Sequence, residues 1–477
     1  MTNITGVKRD LLLVKMLKHK EVRDLPREFL FYLRSQMKHE KFVKIWVDHP
    51  RFGGVKETYV INSQVPPYPS PAFTQFLRVG NEVQNGRTAP SSCHIAATNR
   101  CPYNCWHCSN GHRPECVDLD LDLLKDTIAK LQDMGNSLIG ITGGEPLLRD
   151  DLEEIIAAID ERSVVMLFTT GYGLTPERVR RLKEAGLFYA VVSLDHFVPE
   201  KHDALRGFEG AFDHAVKAIR MFKEAGLYTV ASAVPPNEMI DSGEIWQFVE
   251  FLRNLGVHEV RFLAPIPTGN IVGQRDLRWK RDQARVMAEI HERFNADRDY
   301  PRITVFGYIE TESFLGCCAG TFHIFIENDG TLTPCDMIPL NFGNIKTCGI
   351  EKAYQRMVDV FKNPRYDCFV RAAVTLLGKA YEEEGRLPLS REKSLAIARK
   401  VPNNRMAECF KQLRMPYRWS EEEMRGRTSY GDAGGCMGAF KEGTGDSGGC
   451  MGALQEEIEE ELGPCEGEVS SGSGSPE

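Results

Sequence analysis

Three cysteines stand within eight residues of this chain, Cys101-Pro-Tyr-Asn-Cys105-Trp-His-Cys108. The spacing C-x3-C-x2-C puts three thiolates on one short loop. An iron–sulfur cube usually takes four cysteines, so three would leave one iron free to bind a further molecule, as a catalytic zinc keeps one position open. A structural zinc knuckle is the other reading of such a loop. Zinc sites normally show two paired ligand sets, and no second C-x2-C follows, although Cys93 or Cys116 offers a fourth thiol. A later group of cysteines flanks a turn signal: Cys318-Ala-Gly320, then Asn328-Asp329-Gly330, then Thr333-Pro334-Cys335. Asp-Gly between two apolar runs is a hairpin signal, and a hairpin there brings Cys318 and Cys335 together.

The elements that must position these thiols are legible between residues 92 and 310. Apolar, β-branched runs at His94–Thr98, Ser137–Thr142, Val164–Thr169, Tyr189–Leu194, Tyr228–Val234 and Glu259–Ala264 alternate with segments of helical period, such as Leu121, Leu124, Ile128 and Leu131. Such alternation gives a parallel sheet with right-handed crossovers, in which functional residues collect at the C-terminal ends of strands. The cysteine loop follows the first of these strands. The second ends in Gly143-Gly144-Glu145-Pro146, the third in Thr169-Thr170-Gly171, the fourth in Ser193-Leu194-Asp195, and the sixth leads to Pro267-Thr268-Gly269-Asn270.

Taken together, the cysteine loop and the GGEP sequence one strand later resemble the radical S-adenosylmethionine (SAM) superfamily. The resemblance implies an α/β fold, a partial (β/α)6 barrel; periodicity alone fits a doubly wound open sheet as well. It also implies a 4Fe–4S cluster held by Cys101, Cys105 and Cys108, with SAM on the open iron. His107 takes the usually aromatic position beside adenine, and Gly143, Gly144 and Glu145 lie where the SAM ammonium is held. Thr170, Ser193, Asp195 and Gly269 fall on further SAM-contacting turns, with a helix cap or loop salt bridge as the structural alternative for Asp195. The segment Cys318–Cys335 resembles the opening of the SPASM/twitch extension, which carries auxiliary 4Fe–4S clusters. The chain lacks that extension's full cysteine pattern, which implies one auxiliary cluster with Cys318, Cys335 and Cys368 as ligands and Cys317 or Cys348 to complete the set.

The implied activity is reductive cleavage of SAM to a 5′-deoxyadenosyl radical that takes hydrogen from a substrate. The electron comes from a partner such as flavodoxin or ferredoxin. A peptide or protein substrate is expected first, with cofactor or tetrapyrrole (haem-type) biosynthesis as the alternative. A non-catalytic iron–sulfur or zinc scaffold is the reading of another class.

Composition bounds the rest. At 477 residues the chain expects more than one domain. The boundaries fall at 1–91 (helices and a Pro-rich linker, Val65–Pro71), 92–310 (the barrel), 311–420 (the auxiliary-cluster domain) and 421–477 (an acidic Gly/Ser-rich tail expected to be disordered). The tail repeats Gly-Gly-Cys-Met-Gly-Ala at Cys436 and Cys450. Residues 420–477 hold 14 Asp and Glu against 3 Lys and Arg, so within a total of −8 the rest carries a balance near +3, too little to suggest a nucleic-acid partner. No run of 18 apolar residues and no secretory leader is legible, which points to a cytoplasmic protein without a membrane span. Fourteen cysteines in such a compartment favour metal ligation over disulfides.

Overall fold

The strand–helix alternation folds as a parallel sheet rolled into a partial barrel. In this computed structural model the described residues are 2–17, 26, 40–49, 54–113, 118–401, 403 and 405–418. Three short strands come first, β1 (Thr2–Ile4), β2 (Phe42–His49) and β3 (Gly54–Val60), in an antiparallel sheet. The barrel strands follow: β4 (Ser92–Thr98), β5 (Leu138–Gly143), β6 (Val164–Thr169), β7 (Leu187–Ser193), β8 (Tyr228–Ala233), β9 (Glu259–Phe262) and β10 (Arg302–Val305). They pair in parallel, each with its sequence neighbour. A hairpin of β11 (His323–Ile326) and β12 (Leu332–Thr333) extends the sheet, β11 lying parallel to β4, so the order runs β10-β9-β8-β7-β6-β5-β4-β11-β12. The sheet ends in two edges and does not close on itself.

Alternation along each strand sorts residues to two faces. Outward residues such as Ile139, Ile141, Val165, Leu167, Val192, Val260 and Phe262 join the surrounding helices in one large core. The inward set differs with height. Near the N-terminal strand ends, Leu138, Val164, Met166, Tyr189, Val191, Tyr228 and Val230 pack with Val43, Ile45, Val60 and Ala72 from the N-terminal segment. That segment therefore stoppers the N-terminal mouth. Higher up, the inward Thr142, Phe168, Ser193 and Ser232 are only half-buried, although their strand neighbours Ile141, Leu167, Val192 and Ala231 are fully covered. The lumen is thus open on the side where the strands end.

Ion pairing fixes the stopper. Glu40 pairs with the fully buried Arg302 of β10 and with His291 at 3.3 Å, and Arg302 also donates to the Lys41 carbonyl at 2.8 Å. Burial raises the Glu40 carboxyl, but Arg302 and His291 outweigh it and hold it at about 2. Glu259 of β9 accepts from Ser63 N and Thr304 Oγ, and the Tyr189 hydroxyl donates to Val65 O at 3.0 Å. The Pro-rich stretch therefore touches the barrel's inward face at Val65.

The structure departs from the expectations at three points. The described part of 1–91 is not a helical extension alone, because β2 and β3 pair over seven residue pairs. Their alternating sequence, Phe42-Val-Lys-Ile-Trp-Val and Val55-Lys-Glu-Thr-Tyr-Val60, carries the period-two signal of a half-buried sheet. A seventh parallel strand, β10, joins the six expected. The hairpin that opens the expected auxiliary-cluster domain also pairs with the barrel's sheet, β11 lying beside β4. The acidic tail from 421 and Cys116 lie outside the described residues.

Candidate functional site

The cysteine loop leaves β4 at Thr98 and is fastened on three sides. On one side, Gly144 N donates to Thr98 O at 2.6 Å and Glu145 N to Arg100 O at 2.8 Å. A Cβ on Gly143 would lie 2.1 Å from Thr98 O, and one on Gly144 would lie 2.2 Å from Arg100 O. No side chain fits there, and Gly143 also holds φ at +123°. On the second side, Asn270 donates from its backbone to Cys108 O at 3.0 Å and from Nδ2 to Cys105 O at 2.8 Å. Gly269 sits so close that a Cβ would fall 2.0 Å from Cys108 O. On the third, Asn104 N donates to Arg206 O and Trp106 N to Leu205 O. Both glycine-containing turns therefore serve the loop's backbone.

Glu145 is fully buried, and its carboxylate faces the end of β6. It accepts from Thr169 Oγ at 2.7 Å, Thr170 N at 2.7 Å, Thr170 Oγ at 2.5 Å and Leu147 N at 3.0 Å. Burial outweighs these bonds and moves its carboxyl up from the usual range. With both oxygens engaged, what Glu145 and its glycines present toward the loop is backbone. Thr170 is held by the same carboxylate, and Ser193 stands half-buried at the end of β7.

Asp195 is also fully buried. Its carboxylate meets Arg206 Nε at 2.8 Å and accepts from Val234 N at 2.9 Å, while its own N–H donates to His202 Nδ1 at 3.1 Å. Burial would raise this carboxyl, but Arg206, His107 and His202 hold it below the usual range. Arg206 closes the helix Pro199–Arg206, and its Nη1 reaches Cys105 Sγ at 3.7 Å. One guanidinium thus ties a thiol of the loop to a buried carboxylate. Nothing in the sequence motifs singled out Arg206; its position eleven residues after Asp195, at a helix end before Gly207, was the available signal. His107 lies close enough to Asp195 and Arg206 to feel both, and burial pulls its imidazole down to about 4. Its Nδ1 is buried without a partner.

The three loop thiols are free of disulfides. Burial pushes Cys101 up to about 12, with Cys105 and Cys108 adding to the shift, so the three influence one another. Burial raises Cys105 too, against the pull of Arg206. Thiols massed beside one buried cation are a donor set that a metal cluster takes up as thiolates, displacing protons. The loop fits such a group.

The later cysteines assort differently from the expected ligand set. Cys317, Cys335 and Cys368 lie within one another's electrostatic reach: burial pushes Cys368 up to about 12, with Cys317 next among the causes, and Cys335 responds to both. Cys317 is pinned by a reciprocal backbone pair with Arg365 at 2.9 Å, and Cys368 caps the helix Phe369–Glu384. Cys318 turns away into an apolar cluster with Cys409, Phe322 and Phe410. Cys348 spends its thiol on Asn344 O at 3.4 Å. The hairpin therefore presents Cys317, the neighbour of the expected Cys318, beside Cys335 and Cys368. Glu310, pushed up to about 7 by burial, adjoins the same group.

His94 of β4, His323 and Asp336 form a further cluster, with His94 beside the lumen residue Phe168. Their ligand atoms lie within 4.8 Å of one another, with His94 Nδ1 at 2.9 Å from Asp336.

The sequence profile of the Radical SAM superfamily matches residues 95–252. The chain is 26% identical over 295 residues to the AdoMet-dependent heme synthase of Nitratidesulfovibrio vulgaris, which covers 56% of this chain and 79% of that protein. It is 25% identical over 306 residues to a probable GTP 3′,8-cyclase of Methanosarcina acetivorans, covering 60% and 90%. Among solved structures, Streptococcus suis SuiB bound to its precursor peptide SuiA superposes with a TM-score of 0.48 at 17% identity, over 59% of this chain and 69% of that one. Residues 95–252 thus form a domain of the radical SAM superfamily, whose enzymes use a 4Fe–4S cluster and S-adenosylmethionine.

Proposed function

We propose that this enzyme binds its 4Fe–4S cluster through Cys101, Cys105 and Cys108 and holds SAM between that loop and the ends of β5, β6 and β7. When bound, the cluster supplies the electron that cleaves SAM, giving a 5′-deoxyadenosyl radical that takes a hydrogen from substrate. The observation that carries this reading is the three-thiol loop, fastened by backbone on three sides and touched by one buried guanidinium. The chain's own contribution is orientation and exclusion of water. Gly143, Gly144 and Gly269 set the loop's height above the lumen. Glu145 locks the turn after β5 to the end of β6, and its backbone is left to face the SAM ammonium. Arg206 offsets the negative charge that the bound thiolates carry and keeps Asp195 ionised near the place of the SAM ribose. Ser193 and Thr170 line the same rim. His107, with its low basicity, stays neutral at physiological pH and offers a flat face to adenine.

Cys317, Cys335 and Cys368 are the proposed ligands of one auxiliary cluster, replacing the set built on Cys318. The substrate enters the half-open lumen between the two thiol groups. A peptide or protein side chain is one class, supported by the auxiliary thiols. A haem-type tetrapyrrole is the other, supported by the heme synthases among the relatives. No helix among the described residues is long and apolar enough to cross a membrane, and we place the enzyme in the cytoplasm with a flavodoxin- or ferredoxin-type donor. Electron paramagnetic resonance of the dithionite-reduced protein tests the assignment. SAM should change the cluster signal in the wild type and in Cys317→Ala, and should have no effect in the variant lacking Cys101, Cys105 and Cys108. A SAM response that survives in that triple variant would overturn it.

A further inference from the structure

Five buried arginine side chains among the described residues are each paired with a carboxylate, and Arg261 contrasts with them. Arg113 pairs with Glu327 at 2.9 Å, Arg149 with Asp151 at 2.6 Å, Arg206 with Asp195 at 2.8 Å, Arg365 with Asp367 at 3.0 Å, and Arg302 with Glu40. Arg261 of β9 is equally buried, 3% exposed, yet among the described residues no carboxylate comes within 4.0 Å of it. Its partners are neutral. Nη1 points at Met166 Sδ at 3.2 Å, and Gln64, turned so that its amide oxygen faces the guanidinium, accepts at 2.9 and 3.1 Å. Nε has no hydrogen-bond partner among the described residues. Two rings flank the cation, Phe168 at 5.2 Å and Phe306 at 4.8 Å.

The carboxylates within electrostatic range are committed elsewhere. Glu259 takes Ser63 and Thr304, Asp336 is held by His94 and His323, and Glu310 comes no nearer to Arg261 than 4.0 Å. An unpaired charge in a protein interior is costly unless something pairs it. The place is also informative. Arg261 faces the lumen, because Val260 and Phe262 on either side of it belong to the outer core. The strand registers align it with Ser232, Ser232 with Ser193, and Arg261 with Thr304, giving one polar row across the wall. Ser193 and Ser232 in that row, and Phe168 against the cation, are the half-buried residues that mark the open lumen. Ser193 belongs also to the proposed SAM rim.

We infer that Arg261 is the anchor for a carboxylate of the substrate, received in the barrel lumen with an apolar or aromatic body lying against Phe168 and Phe306. A planar guanidinium with a free edge suits a carboxylate, and the ring faces favour an apolar group beside it. The carboxylate belongs either to a free small molecule or to an acidic residue of a peptide. The inference rests on the lumen being the substrate chamber, as proposed above.

The test uses anaerobically reconstituted, SAM-loaded enzyme and calorimetric titration with 3-phenylpropionate and its neutral amide. The acetylated, amidated Phe-Glu dipeptide and its Phe-Gln counterpart form a second pair. The carboxylate member of at least one pair should bind about tenfold more tightly than its amide, the worth of one charge-assisted hydrogen bond. The pair that shows the preference identifies the source. Arg261→Gln should bring acid and amide to parity, and Arg261→Lys should retain part of the difference. Equal binding of acid and amide in both pairs by the wild type, or a preference that survives in Arg261→Gln, overturns the inference. Stability gives a readout independent of ligand. Arg261→Met should melt at or above the wild-type temperature, because it removes an uncompensated charge; a fall of several degrees would mark the arginine as structural and overturn the inference. Formation of 5′-deoxyadenosine is measured on the same preparations. Enzyme that cleaves SAM without carboxylate preference refutes Arg261 alone, and carboxylate preference without SAM cleavage refutes the catalytic reading alone.

Discussion

Replacing Glu145 by alanine removes an acceptor that four donors share. Two of these are the backbone N–H groups of Leu147 and Thr170, which cannot turn toward another partner; the other two are the hydroxyls of Thr169 and Thr170, which can. A buried donor left without an acceptor costs about 1–3 kcal/mol. Two such groups give roughly 2–6 kcal/mol, and with a water admitted to the space of the lost side chain we expect about 3–4 kcal/mol. Glu145→Gln keeps one carbonyl oxygen in place and should cost about half as much. Equilibrium urea unfolding of the two variants measures this loss, and SAM affinity is measured separately on the folded protein. Because the carboxylate faces β6, Glu145→Gln should bind SAM within about threefold of wild type, a change of well under 1 kcal/mol. If Glu145→Ala unfolds like the wild type but loses SAM affinity tenfold or more, the carboxylate serves the ligand and the reasoning fails.

Three further outcomes are expected. Arg206→Met leaves Asp195 buried and unpaired, which should cost about 3–5 kcal/mol in urea unfolding, and Arg206→Lys should recover part of it. Glu40 sits at about 2 in the folded state against 4.5 when unpaired; the lowered value makes its stabilisation complete above pH 4.5 and progressively lost as the pH falls toward 2. The difference corresponds to about 3 kcal/mol, so Glu40→Gln should flatten the acid limb of the stability profile between those values, and an unchanged limb would show that the pair with Arg302 contributes nothing. Finally, reconstituted wild type should hold about eight irons and Cys317→Ala about four, while Cys318→Ala should keep the full complement; iron loss from Cys318→Ala alone would restore the expected ligand set.

The parallel strands and the turn sequences were legible because each is local. β4 to β9 announce themselves by short β-branched runs separated by helical periods, and the cysteine loop with GGEP is a contiguous pattern. The roles of the motif residues were less legible. Gly143 and Gly144 look like a ligand cradle in sequence, but their lack of a side chain is required by Thr98 O and Arg100 O. That requirement comes from a register shift where β4 meets β5. Arg206 was missed because its meaning lies in a contact across 101 residues to Cys105. Cys317 and Cys318 cannot be told apart by spacing, since adjacent residues in an extended chain point opposite ways and only the pairing with Arg365 decides which faces inward. The N-terminal sheet is legible in the alternation of β2 and β3, which an assignment of residues 1–91 to helices and a linker leaves out. Arg261 looks in sequence like any strand arginine. Its lack of a carboxylate partner is visible only when the whole barrel is assembled around it.

The central claim is that the loop at Cys101, Cys105 and Cys108 makes this chain a SAM-cleaving enzyme. Anaerobically reconstituted protein, given dithionite and SAM, is assayed for 5′-deoxyadenosine by chromatography. The account predicts 5′-deoxyadenosine and methionine in equal amounts from the wild type, and none from Cys101→Ala, Cys105→Ala or Cys108→Ala purified as soluble protein. Production at the wild-type rate by any of the three variants, or none by wild type carrying its full iron, would contradict it.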